Sequence, residues 1–209
     1  MRGLAIATIL AAVGSAAAGT LNPPGPPAPT MVTLEQIHQR QHAGSDTCFD
    51  NAGTNRFVDC ATTAFGTSNG TVKDTVSGLI WLKNANCFGL INWADANIKA
   101  GALASGQCGL SDGSKPGDWR LPTLDEFIAL NIPGCYPFPG GPTIPDKTGN
   151  VCYLNGIPWA TNVQSNVYWS STPNATIPGD AWAMDLFSQE VNGGTKNFFL
   201  YFWAVRAGR

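Results

Sequence analysis

The chain has 209 residues, of which 44% are hydrophobic and only 12% are charged, and its formal net charge is −2. The hydrophobic share is sufficient for a folded core, which excludes a disordered chain. Because the small negative charge provides no basic surface, we predict no binding to nucleic acid or to anionic lipid.

The N-terminal residues carry the features of a secretory signal peptide. Arg2 is followed by the apolar stretch 4–13 and by three alanines that fit a signal-peptidase site. We therefore predict a signal peptide at residues 1–18 and a mature chain that begins near Gly19. Since the apolar stretch is too short to span a bilayer and no longer one follows, no membrane span is expected. The predicted location is exported: periplasmic, secreted or on the cell surface.

Two segments are predicted between the signal peptide and the main domain. Residues 19–44 combine a proline-rich linker with a short helix that begins after Thr33, and they are the candidate segment for homo-oligomerisation. Residues 45–70 are predicted to form a disulfide-linked hairpin segment. The main domain is predicted to span residues 71–209.

Six cysteines in an exported protein predict a framework of disulfide bonds. The sequence alone does not decide among the many pairings, although the spacing favours bonds between neighbours, namely Cys48–Cys60, Cys87–Cys108 and Cys135–Cys152. Metal sites built on cysteine need closely spaced pairs, which this sequence lacks, so we expect no metal ion.

The first half of the main domain is predicted to contain a hairpin and two helices. The hairpin spans residues 71–83, with Gly78 in its turn. The helices begin after the capping residues Asn92 and Thr123, and Glu126 lies at the capping-box spacing from Thr123.

The second half begins with a long irregular loop, residues 131–166, which is rich in proline and glycine. Three strands are predicted after it, at residues 167–171, 181–187 and 198–207. This order of elements is typical of an α+β fold in which helices pack beside an antiparallel sheet.

Several sequence motifs occur in order along the domain: TVSGLIWLKNANC, INWADA, GDWRLPTLDEF, YWSST, AWAMDL and YFWAVRAGR. Together they resemble the C-terminal domain family of the Legionella collagen-like adhesin, over residues 71–209. The resemblance implies a C-type-lectin-like fold, so the predicted class is α+β and C-type-lectin-like, with an antiparallel sheet, two helices, a long irregular loop and disulfide staples. It also implies export and a role in adhesion. The adhesin of that name binds sulfated polysaccharides, whereas this chain lacks a collagen repeat and is acidic overall.

The residues of the GDWRLPT motif are predicted to be structural. Pro122 favours an extended chain before the helix start at Thr123. Arg120 is expected to pair with a carboxylate, and the candidate partners are Asp118, Asp125 and Asp185. The same structural role is assigned to Trp119, Leu121, Trp169 and Arg206. The tryptophans expected in the core are Trp81, Trp119, Trp169, Trp182 and Trp203.

Residues 109–113 match the G-x-S-x-G pattern of a hydrolase nucleophile. That pattern needs a strand before it and a histidine after it, but His38 and His42 both precede it. We therefore expect a simple turn at this place, and we predict no enzyme and no cofactor.

The long loop is the predicted ligand surface, because aromatic rings stack on sugars while Asn and Asp form hydrogen bonds with them. The protein is therefore predicted to be a secreted, non-catalytic recognition or adhesion module that binds an extracellular glycan or surface protein. The alternative is a structural or assembly domain that self-associates through its N-terminal segment. The predicted ligand-binding residues are Tyr136, Phe138, Asp146, Tyr153, Trp159 and Asn162.

Overall fold

The computed structural model describes residues 47–50, 53–61, 67–132, 135 and 141–208. The predicted signal peptide and the segment 19–44 lie outside these residues. No helix in the described part of the chain is long and apolar enough to cross a membrane.

One antiparallel sheet joins the beginning of the domain to its end. Its strand order is β1-β2-β3-β7. The predicted hairpin of residues 71–83 is confirmed, and Gly78 occupies its turn with a φ of 75°, a conformation that favours glycine. The strands are β1 (Phe57–Ala61), β2 (Ser68–Asp74), β3 (Leu79–Leu82) and β7 (Val205–Ala207).

A second antiparallel sheet of three strands follows the long loop, in the order β4-β5-β6. These strands are β4 (Val167–Pro173), β5 (Asp180–Asp185) and β6 (Val191–Thr195). Two helices lie between β3 and β4 in the sequence, α1 (Trp93–Ala102) and α2 (Leu124–Ile128). Both predicted caps are confirmed: Asn92 caps α1, and Thr123 and Glu126 form a complete capping box on α2.

Helix α1 packs on the second sheet through small residues. Its buried residues Ala96 and Ala100 belong to a core cluster that also contains Trp169, Ala181 and Ala183. Because alanine has a short side chain, the helix backbone can approach the sheet closely, and the large Trp169 ring fills the remaining space.

The larger core cluster is rich in aromatic rings. Trp81 and Trp203 meet edge to face, with ring centroids 5.0 Å apart, and the Trp203 indole N–H donates to the Leu82 carbonyl at 2.5 Å. Four of the five tryptophans predicted for the core are buried, whereas Trp182 on β5 is only partly buried. The aromatic residues therefore supply most of the large side chains that fill this core.

Three disulfide bonds staple the domain and confirm the predicted pairing of neighbours: Cys48–Cys60, Cys87–Cys108 and Cys135–Cys152. Next to the second bond, the segment 108–110 runs close to strand β2. At this contact Gly70 has a φ of 83°, and a Cβ there would collide with the Gly109 carbonyl. Only glycine fits this close approach of two backbones.

The predicted strand at 198–207 is wrong over most of its length, because only β7 is a strand. The Phe198 N–H donates to the Thr195 carbonyl, which forms a turn. Leu200 and Tyr201 form only isolated β-bridges, to Ile91 and Tyr168. This part of the chain crosses from the second sheet to the first, so it cannot continue in one ladder. The strand β6 was missed, and the expected single sheet is in fact two sheets.

The α+β class and the disulfide staples are thus confirmed, and the C-type-lectin-like assignment stays a prediction. No helix or strand lies in the described residues of the 131–166 loop, as expected.

Candidate functional site

The long loop is tied to the second sheet at its base. The amide of Gln189, in the β5–β6 turn, donates to the carbonyls of Cys135 at 2.8 Å and Thr143 at 3.0 Å. Thr143 in turn donates its N–H and its hydroxyl to the Leu186 carbonyl, at 2.7 and 2.8 Å. These bonds attach Cys135 and Thr143 to the second sheet, and the Cys135–Cys152 disulfide connects a later part of the loop to the same place.

A buried carboxylate organises the middle of the loop. One oxygen of Asp146 accepts from the Thr148 hydroxyl at 2.7 Å and from the N–H groups of Thr148 and Gly149 at 3.1 Å each. Its other oxygen accepts from the Ile157 N–H at 3.4 Å. Burial raises the pKa of Asp146, but the hydrogen bonds from Thr148 and the loop backbone outweigh it, so the pKa lies below its usual value.

Two aromatic side chains anchor the loop in the core. Trp159 is 1% exposed, stacks on Phe57 at a centroid distance of 4.0 Å, and donates its indole N–H to the Pro145 carbonyl at 2.9 Å. Tyr153 is also buried, and its hydroxyl donates to the Ala160 carbonyl at 2.7 Å. Burial raises the pKa of Tyr153.

Asp146, Tyr153 and Trp159 are therefore internal anchors of the loop in this structure, and a contact of these three residues with a ligand stays a prediction. The faces of both rings are covered by protein, and the carboxylate is used by the loop itself. The physical reason is that an irregular loop without helix or strand needs its own buried anchors, and large aromatic residues stabilise most when they are buried.

The remaining predicted residues differ in their placement. Asn162 is exposed, with a φ of 57°, and its amide donates to the Asn84 side chain at 3.1 Å beside the bridge between Asn84 and Thr161. It therefore lies at the surface but at the end of the loop, away from the Asp146 turn in sequence. Tyr136 and Phe138 lie outside the described residues.

The surface of the loop carries aliphatic side chains that the sequence analysis did not single out. Val151, Leu154 and Ile157 are 42%, 54% and 61% exposed. All three lie on the segment that folds around Asp146. The Asp146 N–H donates to the Val151 carbonyl at 2.8 Å. We call these three residues the aliphatic face. The only sequence signal for these residues is their spacing of three positions along the chain, and the same spacing also occurs in buried segments.

The GDWRLPT motif builds the junction between the sheets and α2. Arg120 forms a two-pronged ion pair with Glu126, with both N···O distances at 2.7 Å, and not with the predicted partners Asp118, Asp125 or Asp185. Glu126 also accepts from the Thr123 N–H at 2.7 Å. The hydrogen bond with Glu126 raises the pKa of Arg120. Burial raises the pKa of Glu126, but its bonds to Arg120 and Thr123 outweigh this and lower it.

A second arginine is fully buried at the end of the chain. Arg206 donates from Nε and Nη2 to one oxygen of Asp112, at 3.2 and 3.1 Å, and its guanidinium lies 5.3 Å from the centre of the Trp119 ring. Both side chains of the ion pair are 1% exposed. The other Asp112 oxygen accepts from the Ser114 hydroxyl at 2.6 Å. This buried pair locks strand β7 to the loop 109–114.

Residues 109–113, which match the G-x-S-x-G pattern, lie in that same loop. The Ser111 N–H donates to the Asn69 carbonyl at 2.9 Å, and Asp112 is held by the arginine. The two histidines lie outside the described residues. Among the residues that are described, no group of three or more His, Cys, Asp or Glu side chains is placed to hold a metal ion.

No curated protein matches the chain. A family model, the Lcl C-terminal domain, matches residues 70–206, which include every helix of the two-sheet domain and all its strands except β1 and the ends of β2 and β7. The matched residues contain the GDWRLPT motif, the long loop and the disulfides Cys87–Cys108 and Cys135–Cys152. The chain therefore belongs to the Lcl C-terminal domain family.

Proposed function

We propose that the protein is an exported, non-catalytic adhesion module that binds a partner on a cell or matrix surface through the aliphatic face of its long loop. The observation that carries the proposal is the exposure of Val151, Leu154 and Ile157 on a segment whose backbone is fixed by hydrogen bonds to a buried carboxylate. The family is related to an adhesin, which supports the general role.

The loop is suited to binding because it is already ordered. The carboxylate of Asp146, the ring of Trp159 and the Cys135–Cys152 bond fix the backbone of the loop that carries the aliphatic face. A surface that is fixed before contact loses little conformational entropy on binding. Each aliphatic side chain that a partner covers contributes about 1–2 kcal/mol.

The chemistry of the exposed residues favours a protein partner over a sugar. Sugar rings stack on flat aromatic faces, and Tyr153 and Trp159 offer none because they are buried. Branched aliphatic residues instead fit apolar pockets on proteins. A glycan remains the second candidate, because the predicted aromatic residues Tyr136 and Phe138 belong to the same loop.

Export is supported by the three disulfides and by the family. The non-catalytic role is supported by the use of Asp112 and Asp146 in structural bonds. The alternative of self-association through residues 19–44 concerns a segment outside the described residues, and it stays a prediction.

The test is a binding screen of the oxidised, processed protein against extracellular-matrix proteins and a glycan array. The variant L154S/I157S removes the two most exposed aliphatic side chains of the face. The matched control is I98S, because Ile98 is 68% exposed on α1 and lies outside the loop. We expect the loop variant to lose binding to a matrix protein while the control keeps it. Equal binding by both variants would contradict the proposal, and binding to glycans alone would favour the second candidate.

A further inference from the structure

The outer edge of strand β6 is a second surface, separate from the long loop. Hydrogen bonds at both ends of the β5–β6 pair fix which backbone groups face β5. The Asp185 N–H donates to the Glu190 carbonyl, and the Lys196 N–H donates to the Gly179 carbonyl, both at 2.9 Å. Because hydrogen-bonded pairs alternate along an antiparallel ladder, the even-numbered residues of 190–196 face β5.

The odd-numbered residues of β6 therefore point their backbone groups away from the sheet. These residues are Val191, Gly193 and Thr195, and β6 is the last strand of its sheet in the described part of the chain. The Thr195 carbonyl accepts from the Phe198 N–H, and a carbonyl has a second lone pair for another donor. Residues 191–193 are exposed, and β6 contains no proline and no bulge that would block a further strand.

The sequence of this edge is complementary to itself. If a second copy pairs antiparallel around a twofold axis at Gly193, the outward groups of Val191 meet those of Thr195 of the partner subunit. The same register places Glu190 beside Lys196 of the partner subunit, and the symmetry produces this contact twice. Within its own subunit the Lys196 ammonium donates to the Pro178 carbonyl at 2.6 Å and lies 4.7 Å from the centre of the Trp93 ring, and it has two further N–H donors for the partner's carboxylate. Opposite charges on neighbouring strands stabilise the pair, whereas like charges oppose it.

Gly193 also leaves space for an aromatic contact across the new pair. A Cβ at Gly193 would lie 3.6 Å from the Trp182 ring and 3.7 Å from the Asn174 amide, so the ring lies beside the glycine. Trp182 and Gly193 are direct cross-strand partners, and the ring is only partly buried. A second copy would bring its own edge against this ring and cover it.

We infer that the protein forms a symmetric dimer through antiparallel pairing of two β6 edges, which joins two three-stranded sheets into one of six strands. Three observations support the second copy as the occupant: the outward backbone groups, the register that pairs Glu190 with Lys196, and the glycine beside the exposed part of Trp182. The inference does not depend on the ligand or on residues 19–44.

The test is sedimentation velocity of the oxidised, processed protein over a range of concentrations. We expect a monomer–dimer equilibrium. The variants E190K and K196E each place like charges together twice, and each should weaken the dimer about tenfold. The double variant E190K/K196E restores opposite charges and should return the dimer towards wild-type strength. The variant D125K is the net-charge control for E190K, because both raise the net charge by two and Asp125 is exposed on α2, on a different element from β6.

A second pair of variants tests the backbone contact directly. G193P removes an N–H that faces away from β5, so the β5–β6 ladder is kept while the dimer is expected to be lost. G193A keeps that N–H and should keep the dimer. Amide hydrogen exchange should slow with protein concentration at Val191, Gly193 and Thr195 in the wild type.

A protein that stays monomeric at all concentrations would overturn the inference. An oligomer that is unaffected by G193P and by the charge variants would overturn it as well, because another surface would then form the contact. Rescue of dimerisation in the double charge variant cannot arise from a general loss of folding.

Discussion

Trp159 is the residue whose replacement separates a structural role from a role in ligand contact. Its indole stacks on Phe57 at 4.0 Å and on Trp203 at 5.1 Å, and its N–H is bonded to the Pro145 carbonyl. We expect W159A to lower the free energy of unfolding by about 4 kcal/mol, since truncation of a buried Trp costs about 3–5 kcal/mol. For a domain of this size that loss corresponds to a decrease in Tm of roughly 10 °C.

Two further variants show where this loss arises. W159F keeps an aromatic ring against Phe57 but leaves the Pro145 carbonyl without its donor, so we expect a loss of about 1–3 kcal/mol. L154A truncates an exposed side chain of the same loop, and the expected change is within about 0.5 kcal/mol.

The assay is thermal and denaturant unfolding of the oxidised protein, followed by near-ultraviolet circular dichroism. The expected order of stability is wild type and L154A, then W159F, then W159A. If W159A unfolds at the wild-type temperature, the indole is not buried in solution and the assignment of Trp159 to the core is refuted.

Three other perturbations test the supports of the domain. Asp112→Asn removes the carboxylate charge from a fully buried ion pair and should cost about 3–5 kcal/mol, whereas Glu126→Gln breaks a more exposed pair and should cost about 1 kcal/mol; urea unfolding compares the two. Because the pKa of Asp146 is lowered in the folded state, its stabilising contribution is complete above the ordinary aspartate pKa of about 3.9 and is lost as the pH falls through the lower folded value. Loop amide exchange from pH 6 to pH 3, with the pH dependence of the intrinsic rate removed, should show this loss. The variant C135S/C152S opens a loop of 17 residues and should cost about 3 kcal/mol in thermal unfolding, without loss of the rest of the fold.

The local elements of the fold were predictable because their signals are local. Asn92, Thr123 and Glu126 are capping residues whose side chains bond to backbone only three positions away. The disulfides likewise join each cysteine to the next cysteine along the chain, 12 to 21 positions away. Such short-range chemistry can be read without knowledge of the rest of the chain.

The strands at the end of the chain were less predictable because their state depends on distant partners. The sequence VNGGT of β6 has low intrinsic preference for a strand, and it forms one because β5 provides the ladder. The aromatic run from Phe198 has a high preference, but it has to cross from one sheet to the other and forms only single bridges. Tertiary context determines both outcomes.

The side-chain partners in the candidate site also depend on distant parts of the chain, so the sequence alone does not predict them. Arg120 has three acidic residues that are plausible partners in the sequence, and the choice of Glu126 follows from the direction of α2 after its cap. The sequence also cannot distinguish a loop aromatic that faces a ligand from one that anchors the loop. For Trp159 the deciding fact is that Phe57, about a hundred residues earlier in the chain, provides a stacking partner.

The central claim is that the aliphatic face of the loop forms the binding surface, and affinity measurements test it most directly. Calorimetric titration of the matrix protein found in the screen would compare the wild type with L154S/I157S and I98S. Removal of two covered aliphatic side chains, at about 1.5 kcal/mol each, predicts an affinity loss of about 100-fold for the loop variant and no change for I98S. An affinity of the loop variant within about twofold of the wild type would contradict the claim.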